Sequence, residues 1–150
     1  MDIRRCFLTG CYTGLLPKAP GTWGTIFGAL LAILILKFFP QSTLFLLTIL
    51  MTIVAIKEIN IYEKNNAHDD STIVIDEIAG IWIAISLLPK ISLFWILVVV
   101  VLFRFFDIKK PSYIKKAEIK LKGGLAVMAD DLLAGVVASL LTGLIYVVVT

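Results

Sequence analysis

Two adjacent carboxylate pairs, Asp76-Glu77 and Asp130-Asp131, each adjoin an apolar run, with small residues about one turn further on at Gly80 and at Ala134-Gly135. Neighbouring carboxylates repel unless one is protonated or a cation lies between them. At a membrane boundary they must face protein, metal or water rather than lipid. Asp69 precedes the first pair, and Asp107 follows Arg104 by three residues, the spacing at which side chains meet on one helix face. Oxygen-only ligands from several helix ends suit Mg2+, which keeps part of its water shell and shares it with a phosphate. With Arg104 and Lys110 near to hold phosphate oxygens, the set fits metal-assisted phosphoryl chemistry. The plainer alternative for Asp76-Glu77 is a pair snorkelling into interfacial water, and for the lysines a basic membrane-edge anchor.

A further patch, residues 17–25, carries Pro17, Pro20, Gly21, Thr22, Gly24 and Thr25 directly before an apolar run. Thr22 can cap the helix that follows, and free N–H groups at its start could meet a phosphate, although a plain capped helix start explains the same residues. The single His68 reads as a solvated loop residue. Cys6 and Cys11 fall on the side expected to be reducing, where a disulfide is disfavoured.

The elements that must position these groups follow from composition. Of 150 residues, 59% are hydrophobic and 17% charged, with mean hydropathy +0.97. A water-soluble globule of this size cannot bury that apolar fraction, so the expected solvent is a bilayer. Five apolar segments, 23–39, 43–59, 73–88, 91–103 and 132–149, are separated by Pro40-Gln41, the polar connection before 73, Pro89-Lys90 and a polar stretch containing Pro111. Their unbroken Val/Ile/Leu runs fit helices rather than barrel strands. The expectation is an all-α, polytopic bundle of about five transmembrane or membrane-embedded helices, forming one domain over residues 1–150.

All eleven acidic residues fall in the N-terminal arm, 57–77 or 104–131, which such a threading puts on one face. Of the fourteen Lys and Arg residues, only Lys37 and Lys90 lie on the other face, which makes the acidic face cytoplasmic by the positive-inside rule. Residues 1–16 read as an interfacial segment rather than a signal peptide. The net charge of +3 suits anionic lipid headgroups better than nucleic acid, which is not an expected partner.

Taken in order, Pro20-Gly21-Thr22-x-Gly24-Thr25, Ile73-Val74-Ile75-Asp76-Glu77-x-x-Gly80, Phe103-Arg104-x-Phe106-Asp107-Ile108-x-Lys110-Pro111 and Gly123-Gly124-x-x-Val127-Met128-x-Asp130-Asp131-x-x-Ala134-Gly135 closely resemble the phosphatidylglycerophosphatase A family. The resemblance spans nearly the whole chain. It implies a small Mg2+-dependent enzyme of the bacterial inner membrane that removes the terminal phosphate of phosphatidylglycerophosphate to give phosphatidylglycerol. Resemblance and local chemistry together place Asp76, Glu77, Asp130 and Asp131 in a metal cluster, with Asp69 as a further ligand and Asp107 as a catalytic or orienting partner. They place Arg104, Lys110, Thr22 and Thr25 on the substrate phosphate. The implied reaction is attack of a metal-activated water with one carboxylate as general base; a phospho-aspartate route stays open, as do metal number and oligomeric state. The rival from another class is a small carrier for divalent cations or protons using the same acids. Such a carrier would be expected to hold acids near the bilayer midplane and to show repeats, and neither is found in the sequence.

Overall fold

The computed structural model describes residues 2–65, 70–109 and 121–150. Its elements are α1 (Ile3–Leu8), a 3-10 turn (Thr13–Leu15), α2 (Pro20–Phe38), α3 (Gln41–Asn65), α4 (Ile75–Ser86), α5 (Leu93–Lys109) and α6 (Gly124–Val149), with no strand among the described residues. Among the described residues three helices, α2, α3 and α6, are long and apolar enough to cross a membrane. The 12 residues of α4 reach only about 18 Å, short of the ~30 Å hydrocarbon core.

α4 is the centre of the bundle and packs on α2, α3, α5 and α6. Every residue from Ile78 to Ser86 is buried, as a helix that is apolar all round requires. The surrounding helices turn the opposite way: Leu30, Leu46, Leu50, Phe94, Val101, Leu140 and Leu144 are exposed. An apolar exterior of that extent marks a membrane protein. Several polar groups inside it are satisfied locally. Thr48 and Thr142 donate to the carbonyls of Leu44 and Ala138, each at 2.8 Å, and Trp82 Nε1 donates to the Gly28 carbonyl at 2.8 Å. At the far end of α4, Gln41 Nε2 donates to the carbonyls of Ser86 (2.9 Å) and Leu88 (2.8 Å), covering acceptors that the helix terminus leaves over.

Three features differ from the sequence expectation. α6 starts at Gly124 rather than at 132, so Asp130 and Asp131 sit two turns inside a helix instead of at its mouth. The apolar-run criterion missed this start because it stopped at the two aspartates. α2 begins at Pro20, with Ala19 in the left-handed region as its N-cap; Thr22 therefore lies in the first turn and caps nothing. The N-terminal segment is more than interfacial: Leu8 is buried, its carbonyl accepts the Val74 N–H at 3.0 Å, and Arg4 pairs with Glu58 of α3 at 2.6 Å.

A convergent carboxylate site at one end of the bundle

The site is set by how closely α4 and α6 cross. Gly80 lies one turn after Asp76, and Gly135 one turn after Asp131. A Cβ on Gly135 would run into the Gly80 carbonyl, and one on Gly80 would stand 2.7 Å from the Asp131 carbonyl. Only glycine at both positions allows this backbone approach. The result is that carboxylate oxygens of Asp76, Glu77 and Asp131 lie within 4.8 Å of one another. Asp76 and Glu77 occupy the first turn of α4, where the helix dipole favours negative charge.

Around this cluster is a cavity of about 660 Å3, within the usual size for a small-molecule site. Its wall includes Ala19, Pro20 and Gly21 of the α2 start, Arg104 and Asp107 of α5, and Ala126, Val127, Asp130 and Asp131 of α6. Among the described residues seven carboxylates line it against two cations, Arg104 and Lys122. Arg104 Nη1 donates to Asp107 Oδ2 across one helical turn, and Nη2 reaches Thr22 Oγ1 of α2 at 3.3 Å. Gly21 makes room for this arrangement, because a Cβ there would collide with the Glu77 carboxylate and stand 3.3 Å from Arg104 Nη1.

The segment leading into α4 is held separately. Asp70 Oδ2 accepts the Tyr62 hydroxyl at 2.6 Å, and Oδ1 accepts Thr72 N (3.0 Å) and Thr72 Oγ1 (2.8 Å). The Tyr62 hydrogen bond, reinforced by Thr72, holds the Asp70 carboxyl below the usual carboxylate range.

The donor set fits a hard divalent cation. Asp76 Oδ1 and Glu77 Oε2 are buried without a hydrogen-bond partner, an arrangement that is costly for a carboxylate unless a cation completes it. The ligands come from two helices and are all oxygen, the donor type that Mg2+ takes.

Of the residues singled out in the sequence, Asp76, Glu77, Asp107, Asp130, Asp131 and Arg104 line the one cavity. Asp130 is buried in its wall but lies outside the three-residue convergence. Thr22 meets Arg104. Thr25 is buried, and its hydroxyl donates to the Gly21 carbonyl at 2.8 Å, inside α2 and away from the cavity lining. The N–H groups of Thr22 and Trp23 are taken by the Ala19 carbonyl, which removes two of the donors that an anion at the helix start would use. Asp69, Lys110 and His68 lie outside the described residues. Glu63, Asp70 and Lys122 line the cavity without having been singled out. Asp70 and Lys122 sit just before the motifs that begin at Ile73 and Gly123, whereas Glu63, near the end of α3, carried no signal beyond being acidic on that face.

The sequence model of the phosphatidylglycerophosphatase A family matches residues 6–146. A Haemophilus influenzae protein named "Phosphatidylglycerophosphatase A" is 36% identical over 133 residues, covering 86% of this chain and 80% of its own. A Bacteroides thetaiotaomicron protein named "Putative phosphatidylinositol-3-phosphatase" is 35% identical over 139 residues, covering 89% and 87%. The Escherichia coli K12 "Phosphatidylglycerophosphatase A" is 31% identical over 138 residues, covering 91% and 78%. No solved structure matches the chain.

Proposed function

This chain belongs to the phosphatidylglycerophosphatase A family, and on that premise we propose that it hydrolyses the terminal phosphomonoester of phosphatidylglycerophosphate to phosphatidylglycerol and inorganic phosphate. The observation that carries the reading is the convergence of Asp76, Glu77 and Asp131 in a cavity whose wall also holds the Arg104–Asp107 pair. A cavity so rich in carboxylates repels a phosphomonoester unless a cation intervenes. Asp76, Glu77 and Asp131 would hold Mg2+, with Asp130 of the cavity wall beside them; Asp69 is assigned as a further ligand by sequence and family resemblance alone. Bound there, the ion supplies positive charge and Lewis acidity toward the phosphoryl oxygens.

The chain's own groups do the rest. Arg104, oriented by Asp107 and held against Thr22 until substrate arrives, presents its guanidinium to the phosphoryl oxygens and offsets the charge that builds there. Lys110 is assigned the same task. Thr25 acts indirectly, by fixing the first turn of α2 beneath Thr22. Water attacks phosphorus as the bond to the glycerol oxygen breaks; a cavity carboxylate takes the proton of the attacking water, and the departing alkoxide gains one to leave as the alcohol. The carrier reading is not favoured, since the acids cluster at one end of the bundle rather than at its middle.

We place the site on the cytoplasmic face of the bacterial inner membrane, because threading the sequence through a bilayer puts twelve of the fourteen Lys and Arg residues on the same face as the acids. Head-group choice is tested by offering the purified protein phosphatidylglycerophosphate, phosphatidylinositol 3-phosphate and phosphatidic acid at equal surface concentration. The proposal expects the highest kcat/KM on the first. A preference for the inositol lipid would move this chain toward the activity in the Bacteroides relative's name.

A further inference from the structure

A phospholipid must bring its phosphate to Arg104 while its acyl chains stay in the bilayer, because withdrawing them exposes apolar surface to water in proportion to their length. The site therefore needs a lateral opening between two helices. α4 is enclosed, so the outer seams are α2/α3, α3/α6, α5/α6 and α2/α5. At the site end the first is covered by the N-terminal segment, tied to α3 through Arg4–Glu58 and to the start of α4 through Leu8 and Val74. The second is closed by the Gly124 N–H donating to Asn60 Oδ1 at 2.8 Å, with Gly124 packed against the Ile56 backbone. The third is a broad packing surface. Between α2 and α5 packing is sparse, and among the described residues what crosses the seam at the cavity is the Arg104–Thr22 hydrogen bond at 3.3 Å.

The residues beneath that bond are apolar. Ile26 follows Thr22 by four positions and Val101 precedes Arg104 by three, so each shares a helix face with the polar residue and lies one turn toward the membrane centre. They are 43% and 68% exposed. The seam thus presents a guanidinium at the cavity edge and two uncovered aliphatic side chains below it, in the order of a lipid phosphate and its acyl chains.

Resting on the phosphatase reading above, we propose that the α2/α5 seam is the lateral portal for the substrate lipid. Its phosphomonoester displaces the Arg104–Thr22 contact and its acyl chains lie against Ile26 and Val101. The portal would make chain-bearing lipid, rather than a soluble phosphomonoester, the preferred substrate without any contact to the reacting phosphate.

Two readouts test it. In the first, p-benzoylphenylalanine replaces Ile26 or Val101, or, as controls exposed on other helices, Leu50 or Leu140. The proteins are photolysed in phosphatidylcholine vesicles holding a minor fraction of phosphatidylglycerophosphate, and adducts are read by mass spectrometry. Adducts of that lipid or its product should be enriched several-fold at positions 26 and 101 over 50 and 140; equal capture at all four overturns the portal. In the second, Ile26→Trp and Val101→Trp fill the seam. Turnover of the long-chain lipid in bilayers should fall by about tenfold or more, while turnover of a soluble dibutanoyl analogue stays near parental. Equal loss on both substrates, or loss on neither, overturns it. If the parent releases no phosphate from either substrate, the phosphatase reading fails, and photocapture decides the portal alone.

Discussion

Replacing Gly80 by alanine tests whether the α4/α6 crossing builds the site. The added Cβ would stand 2.7 Å from the Asp131 carbonyl and 2.7 Å from the Phe103 ring, where ordinary contact begins at 3.4 Å. The ring can turn away, but the carbonyl belongs to helix backbone. α6 must therefore retreat by about 0.7 Å or tilt, carrying the Asp131 carboxylate away from Asp76 and Glu77. Overpacking of this kind costs about 1–3 kcal/mol of stability. A misplacement approaching 1 Å in a catalytic set costs about 10²-fold in rate, some 2.7 kcal/mol of barrier. Gly143→Ala is the matched control on α6, because a Cβ there meets nothing within 4 Å. The assay is initial-rate phosphate release from phosphatidylglycerophosphate in mixed micelles, with thermal unfolding recorded on the same detergent-purified samples. Gly80→Ala should stay folded with a rate down by about two orders of magnitude, and Gly143→Ala should match the parent in both. A Gly80→Ala enzyme of near-parental rate, or a Gly143→Ala enzyme equally impaired, would refute the argument that this crossing sets the carboxylates.

Glu77→Gln and Asp131→Asn keep side-chain volume and remove charge, so each should lose at least ~10² in rate while remaining folded. Lys115→Ala and Lys116→Ala, solvated anchors by sequence, should lose about tenfold or less, and the opposite ranking in phosphate release would shift the chemistry to the basic rim. Asp70 has its folded-state pKa depressed by Tyr62, so the stability it contributes is present above its unfolded pKa, ~3.9, and is lost as pH falls through the folded value. Tyr62→Phe should therefore flatten the acid limb of a melting-temperature profile below about pH 4, and an unchanged limb would show that the hydrogen bond is not coupled to folding. In intact cells a cysteine placed beside Lys90 should react with a membrane-impermeant thiol label, and one beside Lys120 should not; the reverse pattern inverts the topology.

Much of this site was legible because chemistry in a membrane protein stands out against an apolar background. Asp76, Glu77, Asp107, Asp130, Asp131 and Arg104 are conspicuous wherever charge is costly, and the cavity gathers all of them. What the pattern could not supply was depth along the helices. An apolar run ends at the first charge, so α6 was expected to start at 132, although the helix runs through both aspartates from Gly124. The same criterion treats a buried 12-residue helix and a membrane span alike: α4 looked like one more apolar segment, whereas it is the enclosed centre on which the others pack. Thr25 shows a further limit, since a hydroxyl beside a helix start has the same sequence signature whether it faces a ligand or bonds back to its own helix. Gly123-Gly124 stood in the sequence only as part of a motif; it seats the start of α6 on α3, with Gly123 at φ +62° and Gly124 against Ile56.

The most direct test of the account is phosphate release from phosphatidylglycerophosphate by the purified protein, measured with Mg2+, in excess chelator with metal content checked, and after Mg2+ is restored, with Asp131→Asn prepared in parallel. The account predicts stoichiometric phosphate and phosphatidylglycerol with Mg2+, loss of both in chelator, recovery on restoration, and at most residual release from the variant. Full turnover in metal-free chelator, or parental turnover by Asp131→Asn, would contradict it.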